Sequence, residues 1–334
     1  MARSMWGEEE TKHFIALDPS TILKAVDKVG FRSTGRCLAL NSLENRVFEV
    51  EIEVDEDKVK SPSDRFVVVK FYRPGRWSFE QIKDEHDFLL ELKEAEIPVI
   101  APFVIKGESL FTDLESSLFY AIFPKQGGRI PDEFQPEELL QLGRLLARMH
   151  QVGRRRKAPH RLALTPDIYG RKNLEYLLSS GKIPPHFQKS YQSVVETICL
   201  ETSKRFEGKL IQRIHGDCHK GNILWGRDGF FLVDFDDMVM GPPVQDMWLI
   251  LPGRDQDSLI DREILIEGYT SMLDFDQSSL NLIEPLRALR FIHFASWIGK
   301  RFDDESFKRA FPFYGTDRYW EEQIQDLRDQ LNFF

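Results

Sequence analysis

Apolar residues recur along this chain in two periods, first close to three and a half, then two. Ile22, Leu23, Val26 and Val29 sit at helical spacing behind Asp18-Pro19-Ser20, and Gly30 follows the last of them. A cap residue, an early proline and a glycine stop predict a first helix. The period then shortens. Residues 37–40 and 47–54 read as two strands, with clear alternation in the second and a polar turn at 41–46 between them. A β-branched and aromatic run at 65–72 predicts a buried strand, and residues 117–123, ended by Pro124, predict another. Between these, Ser78 and Gln81 form a capping-box pair that opens a helix. Ile82, Glu85, His86 and Leu89 share one face of that helix, whereas Glu80, Asp84 and Asp87 fall elsewhere.

Past Pro124 the helical period takes over. Pro136 sits in the first turn of a helix with Leu139, Leu142, Leu146 and Met149 on one face, ending between His150 and Gly153. Further helices are predicted at 174–178, at 190–206, from Arg262 and from Leu282. One stretch interrupts them. Around the turn Gly226-Arg227-Asp228-Gly229, two short apolar strands are expected within residues 214–237. There is no internal repeat and no low-complexity segment. The pattern describes an α+β chain with a β-rich first lobe, residues 1–123, and a mostly helical second lobe, residues 124–334. The lobe boundary falls near Phe123 to Lys125, with flexibility expected at Gly127-Gly128.

A length of 334 residues and a hydrophobic content of 42% suit a sizeable core. The net charge of -9 argues against non-specific nucleic-acid binding. Arg154-Arg155-Arg156-Lys157 is a local exception, read as a solvated helix end. The three cysteines match no zinc or redox spacing, and their odd number argues against a disulfide framework. Cys218 reads as a small packed residue. Residues 1–12 are charged and lack a signal-peptide core, and no apolar run reaches the ~18 residues of a membrane span. A cytoplasmic monomer without nucleic-acid or membrane partners is expected.

The candidate chemistry lies in the interrupted stretch. Asp217 is followed by Asn222 five residues later, and Asp234-Phe235-Asp236 closes the second apolar strand. Asp and Asn are common turn residues, but this order beside apolar strands is the pattern of a kinase catalytic loop and metal loop. A triphosphate needs Mg²⁺ to bridge its oxygens, and Mg²⁺ prefers one or two hard oxygen ligands from protein. Asn222 and Asp234 would supply them, leaving Asp217 to orient an acceptor hydroxyl and take its proton. Asp236 is a candidate further metal ligand, and Asp237 a solvated acid.

Lys70 lies inside a buried strand, where an ammonium is costly without a partner; nucleotide phosphates and Glu85 of the next helix are the expected ones. The turn at 41–46 sits where kinases cover ATP phosphates, but it has no glycine. Ser42, with Asn45 or Arg46, is its candidate phosphate contact; an ordinary polar turn would carry the same residues. His150 reads as a structural histidine. Asp246 is read as capping a helix and bracing the catalytic loop. Among Arg287, Arg290, His293 and Trp297, some would line an acceptor groove, and paired core arginines fit as well.

His215-Gly216-Asp217, His219, Gly221-Asn222 and Asp234-Phe235-Asp236 resemble the aminoglycoside phosphotransferase and choline kinase-like superfamily. With Asn41-Ser42-Leu43-Glu44-Asn45-Arg46, the run from Val68 to Trp77, and Gly241-Pro242-Pro243-Val244-Gln245-Asp246, the chain more narrowly resembles the bacterial stress response kinase A family. That resemblance implies a two-lobed protein kinase-like fold, Mg²⁺ and ATP, and transfer to serine and threonine side chains of proteins. A small-molecule alcohol kinase, for choline, homoserine or an aminoglycoside, is the rival enzyme, and an inactive nucleotide-binding regulator the rival from another class. The lysine that protein kinases keep two residues after the catalytic Asp is replaced by His219, with Lys220 beside it.

Overall fold

A computed structural model of the chain describes residues 8–227 and 229–334. Residues 1–7 of the expected first lobe, and Asp228 of the expected turn, lie outside the described residues. In chain order the helices and strands are α1 (Glu8–Ile15), α2 (Pro19–Lys28), β1 (Ser33–Leu40), β2 (Arg46–Ile52), β3 (Phe66–Phe71), α3 (Phe79–Glu94), β4 (Phe111–Thr112) and β5 (Phe119–Pro124). Then come α4 (Pro136–Gly153), α5 (Lys172–Ser179), α6 (Pro185–Phe206), β6 (Gln212–Ile214), β7 (Ile223–Gly226), β8 (Gly229–Leu232) and β9 (Val239–Gly241). The chain finishes with α7 (Val244–Ile250), α8 (Gln256–Thr270), α9 (Ile283–Arg301), α10 (Glu305–Ala310) and α11 (Asp317–Leu331). This is the expected α+β composition.

The chain divides into two compact units. The first takes in the chain up to Phe134, with Ala158–Arg161 and Lys220–Asp237; the second takes in Gln135–Lys157, Leu162–His219 and Met238–Phe334. In the first unit five strands form a sheet in the order β1-β2-β3-β5-β4. The neighbours pair antiparallel. Val67, Val69 and Phe71 of the central strand point to one face and pack with Ile22 and Val26 of α2. Because strand side chains alternate, Lys70 is delivered to the opposite face. Its register neighbours are Val47 and Ala121. The helix α3 opens as expected: the Ser78 hydroxyl accepts the Gln81 N–H at 3.3 Å, and the Gln81 carbonyl accepts the Ser78 N–H at 2.9 Å. Its buried face carries Ile82, Glu85, His86 and Leu89.

The ribbon of β7 and β8 also belongs to the first unit. Gly128 lies against it with no room for a side chain: a Cβ there would stand 2.9 Å from the Phe231 ring and 3.1 Å from Leu224. At this position close packing, rather than the expected flexibility, calls for glycine.

The second unit is helical around one short ribbon, β6 with β9. Its core joins Leu174, Leu177, Tyr191, Val195, Ile198, Ile214, Leu289, Ile292 and Trp320. A π-helical turn at Pro166–Arg171, not expected from the sequence, runs into α5. The helix expected at 190–206 starts five residues earlier, at Pro185. Among the described residues no helix is long and apolar enough to cross a membrane.

Candidate active site

Lys70 is buried, and an ammonium taken out of water needs acids around it. Its Nζ lies 2.8 Å from Asp236 Oδ1 and 3.8 Å from both Glu85 Oε1 and Asp234 Oδ1. Burial works against its charge, yet Asp236 and Glu85 hold the ammonium well above the ordinary lysine value. Burial raises the Glu85 carboxyl to about 7, with Lys70 pulling the other way. Burial also opposes the Asp236 charge, but Arg76 and Lys70 keep its carboxyl well below the usual range.

Two arginines complete this knot. Arg76 pairs through Nη1 with Asp236 and through Nη2 with Asp237 Oδ1 at 2.6 Å. Arg161 Nη2 lies 3.2 Å from Glu85 Oε2 and 2.8 Å from the Asp236 carbonyl. The loop carrying Arg161 is fixed by α3, since Asp84 accepts the His160 N–H at 2.8 Å. The Arg161 guanidinium also lies 4.3 Å from the centroid of a Trp77 ring.

Asn222 and Asp234 lie on the two strand extensions at one end of the β7–β8 ribbon. Ile223 pairs with Leu232, and one step beyond, the Asn222 carbonyl accepts the Val233 N–H at 3.0 Å. Asp234 follows at φ +60°, a left-handed conformation that costs a non-glycine residue energy. Asn222 is buried, while the Asp234 side chain is 59% exposed. A carboxylate and an amide oxygen are hard donors that fit a divalent cation completing its shell with phosphate and water. Among the described residues no group of three His, Cys, Asp or Glu side chains could hold a metal alone.

The turn before β2 is tied to the same knot. Asn45 is buried; its amide donates to Asp236 Oδ2 at 3.1 Å and its carbonyl accepts the Arg73 N–H at 3.1 Å. Ser42 Oγ accepts the Asn45 N–H at 3.3 Å. Glu44 stands 3.3 Å from Arg73 Nε and 3.4 Å from Arg76 Nη1.

In the second unit the loop after β6 is held by the first turn of α7. Asp246 is fully buried and accepts the His215 N–H at 2.9 Å and the Gly216 N–H at 2.8 Å. Gln245 donates to the Gly216 carbonyl at 3.1 Å. His150 Nε2 lies 3.0 Å from Asp246 Oδ2, and its Nδ1 lies 3.1 Å from the Tyr269 hydroxyl. Gly216 adopts φ +84°, which a side chain would resist, and Asp217 follows directly. The Asp217 carboxylate receives Arg290 Nη2 from α9 at 2.8 Å, with His219 Nε2 at 3.6 Å. Cys218 is buried, which pushes its thiol well up and makes it a packed residue rather than a reactive one.

The sequence profile of the phosphotransferase enzyme family matches residues 38–281. Stress response kinase A of Salmonella paratyphi A is 37% identical over 322 residues, covering 95% of this chain and 93% of that one. A relative from Salmonella typhimurium, the serine/threonine protein kinase RdoA, is 36% identical with the same coverage. The chain belongs to the phosphotransferase enzyme family, among the stress response kinase A proteins. Its fold is also that of the amicoumacin kinase hAmiN, solved with AMP-PNP, Ca²⁺ and Ami, at a TM-score of 0.72 and 19% identity, covering 96% of both chains. It is an ATP-dependent phosphotransferase.

Within the first unit of this phosphotransferase, Lys70, Glu85, Asp234 and Asn45 share one charged cluster, and Asn222 stands at the ribbon end beside Asp234. Asp236, expected as a further metal ligand, is engaged by Lys70 and Arg76; Asp237, expected in solvent, is 40% exposed and also pairs with Arg76. His150 has the structural role expected of it. Asp246 braces the loop after β6 as expected, but it does not cap α7, where Pro243 holds the cap position and the Asp246 carboxylate is taken up by the His215 and Gly216 N–H groups. Sequence reasoning assigned nothing to Arg76 or Arg161. Arg76 had a signal, its place just after the lysine strand in Arg73-Pro74-Gly75-Arg76-Trp77. Arg161 had none, because its partners are distant in the chain.

Proposed function

We propose that the protein is a cytoplasmic serine/threonine protein kinase of a bacterial stress response, using Mg²⁺ and ATP. The observation that carries this reading is the 36–37% identity over 95% of the chain to stress response kinases, one of them named a serine/threonine protein kinase. In chain order, residues 1–123 are assigned the nucleotide-phosphate turn, the lysine strand and the α3 carboxylate, and residues 124–334 the catalytic and metal loops.

Lys70 holds phosphate oxygens, oriented by Glu85, which Arg161 secures in turn. Asn222 and Asp234 hold the metal, which when bound neutralises charge on the phosphates. The 41–46 turn approaches the nucleotide through Ser42, and the buried Asn45 ties that turn to Asp236. Asp217 accepts the proton of the attacking hydroxyl; Arg290 and the Asp246-braced loop fix where its carboxylate points. Catalysis is then positioning and charge neutralisation more than covalent chemistry.

Purified protein given radiolabelled ATP, a generic protein substrate and a panel of amino alcohols tests the reading. Labelled protein is the expected result. Label on an amino alcohol alone would replace it with a small-molecule kinase, and nucleotide binding without any transfer would leave a regulator.

A further inference from the structure

One cation in the second unit has no acid to neutralise it. Lys300 is half-buried near the end of α9, and among the described residues no carboxylate lies within ion-pair distance of it. Its Nζ is 3.5 Å from the buried Asn173 carbonyl and 5.2 Å from the centroid of the Tyr176 ring. Burial, and then Arg301, lower the ammonium to about 8. An amide oxygen and a ring face are weak compensation for a desolvated charge, so an anion from outside would be well received.

Lys300 is the far end of a line of side chains. At about 100° per residue, Arg290, His293, Trp297 and Lys300 fall within about 80° of one face of α9. Arg290 anchors the near end on Asp217 at 2.8 Å. His293 lies between, stacked on Tyr169 at 4.5 Å between centroids, with its Nδ1 3.3 Å from the Asn173 amide. Tyr169, Asn173 and Tyr176, which meet His293 and Lys300, come from the turn Pro166–Arg171 and α5, whereas Trp297 stacks on Phe294 and packs against Phe307 and Phe311. The seam thus begins at the proposed base and ends at an uncompensated cation, with polar and aromatic groups between.

The length of the seam specifies its occupant. Ten helical steps from Arg290 to Lys300 rise about 15 Å. An extended peptide advances about 3.3 Å per residue and covers that distance in four to five residues. We propose that this seam is the acceptor strip, taking a serine or threonine peptide whose Asp or Glu side chain, about four or five residues from the target hydroxyl, pairs with Lys300. The assignment rests on the protein-kinase reading above and adds the class of substrate: acid-bearing, not basic.

The test uses full-length protein, Mg²⁺-ATP and neutral serine peptides in which a single Glu is moved along each side of the serine. Glu at the fourth or fifth position is expected to raise kcat/KM about fivefold over the neutral peptide, the size of one partly exposed ion pair. Lys300→Glu should reverse that ratio in favour of a Lys-bearing peptide, and Lys300→Arg should restore it. Melting curves check that each variant is folded, and the ratio of the two peptides within one variant cancels general damage. Labelled peptides with no charge preference, an equal preference at every position, or an unchanged ratio in Lys300→Glu would overturn the strip while leaving the protein-kinase reading intact. No labelled peptide at all, beside a labelled amino alcohol, would remove that reading and the strip with it.

Discussion

The first unit and the second treat charge in opposite ways. In the first, Lys70, Arg76 and Arg161 are interleaved with Glu44, Glu85 and Asp236, all withdrawn from solvent, and each ion touches more than one partner. In the second, Asp217 meets Arg290, whose side chain is 39% exposed, and Lys300 meets no acid among the described residues. A buried knot is intolerant, because deleting one member strands the others in a poor solvent. A half-exposed strip tolerates a change of charge. The difference teaches that the buried network around Lys70 must be kept whole, while the strip proposed for the acceptor is free to change its charge preference without loss of the fold.

Variants that separate chemistry from structure break the comparison most sharply. Asp217→Asn is expected to lower phosphate transfer by about 10² to 10⁴, the usual worth of a general base, in a protein that still melts cooperatively. Next come variants of the two charge networks. Asp236→Ala leaves Lys70 and Arg76 without their shortest partner and should cost about 3 to 5 kcal/mol in denaturant titrations. Arg290→Ala, at the partly exposed pair, should cost no more than about 1 kcal/mol. Equal losses at the two sites would erase the contrast.

A pH series sharpens it further. Burial holds the Glu85 carboxyl at about 7 against an ordinary 4.5, so the folded protein binds that proton more tightly than the unfolded chain does. The resulting stability is full below about 4.5 and is lost as pH rises through about 7. Glu85→Gln should therefore flatten the fall in melting temperature across that window, and a slope as steep as wild type would contradict the assignment. The smallest effect expected is at the α3 cap, where Ser78→Ala should cost about 1 kcal/mol and leave transfer rates nearly unchanged.

How much of this was legible in the chain follows from where each cause resides. Lys70 was legible because a lysine within Val67-Val68-Val69 and Phe71 has no cheap reason to be there. Glu85 was legible from helical spacing, and the bracing by Asp246 from its place at a helix start. The pairing of Asp236 and Asp237 with Arg76 was not legible, because Arg76 comes from a loop 160 positions earlier than Asp236. Arg161 bonds backbone carbonyls of residues 235 and 236, and no local period or motif reports such a contact. The strand expected from Cys37 begins at Ser33, since those first residues lack apolar alternation and join through an irregular register opposite Ile52. The strip proposed for the acceptor was visible only as four residues of one helix; the missing acid near Lys300 is a fact of three dimensions.

The division of labour can be read in one titration of Mg²⁺-ATP binding across wild type, Lys70→Met and Asp217→Asn, with label transfer followed in the same preparations. The account predicts that Lys70→Met loses nucleotide affinity by tenfold or more, while Asp217→Asn binds within about threefold of wild type and transfers almost nothing. Asp217→Asn binding nucleotide as poorly as Lys70→Met, or transferring phosphate as fast as wild type, would contradict it.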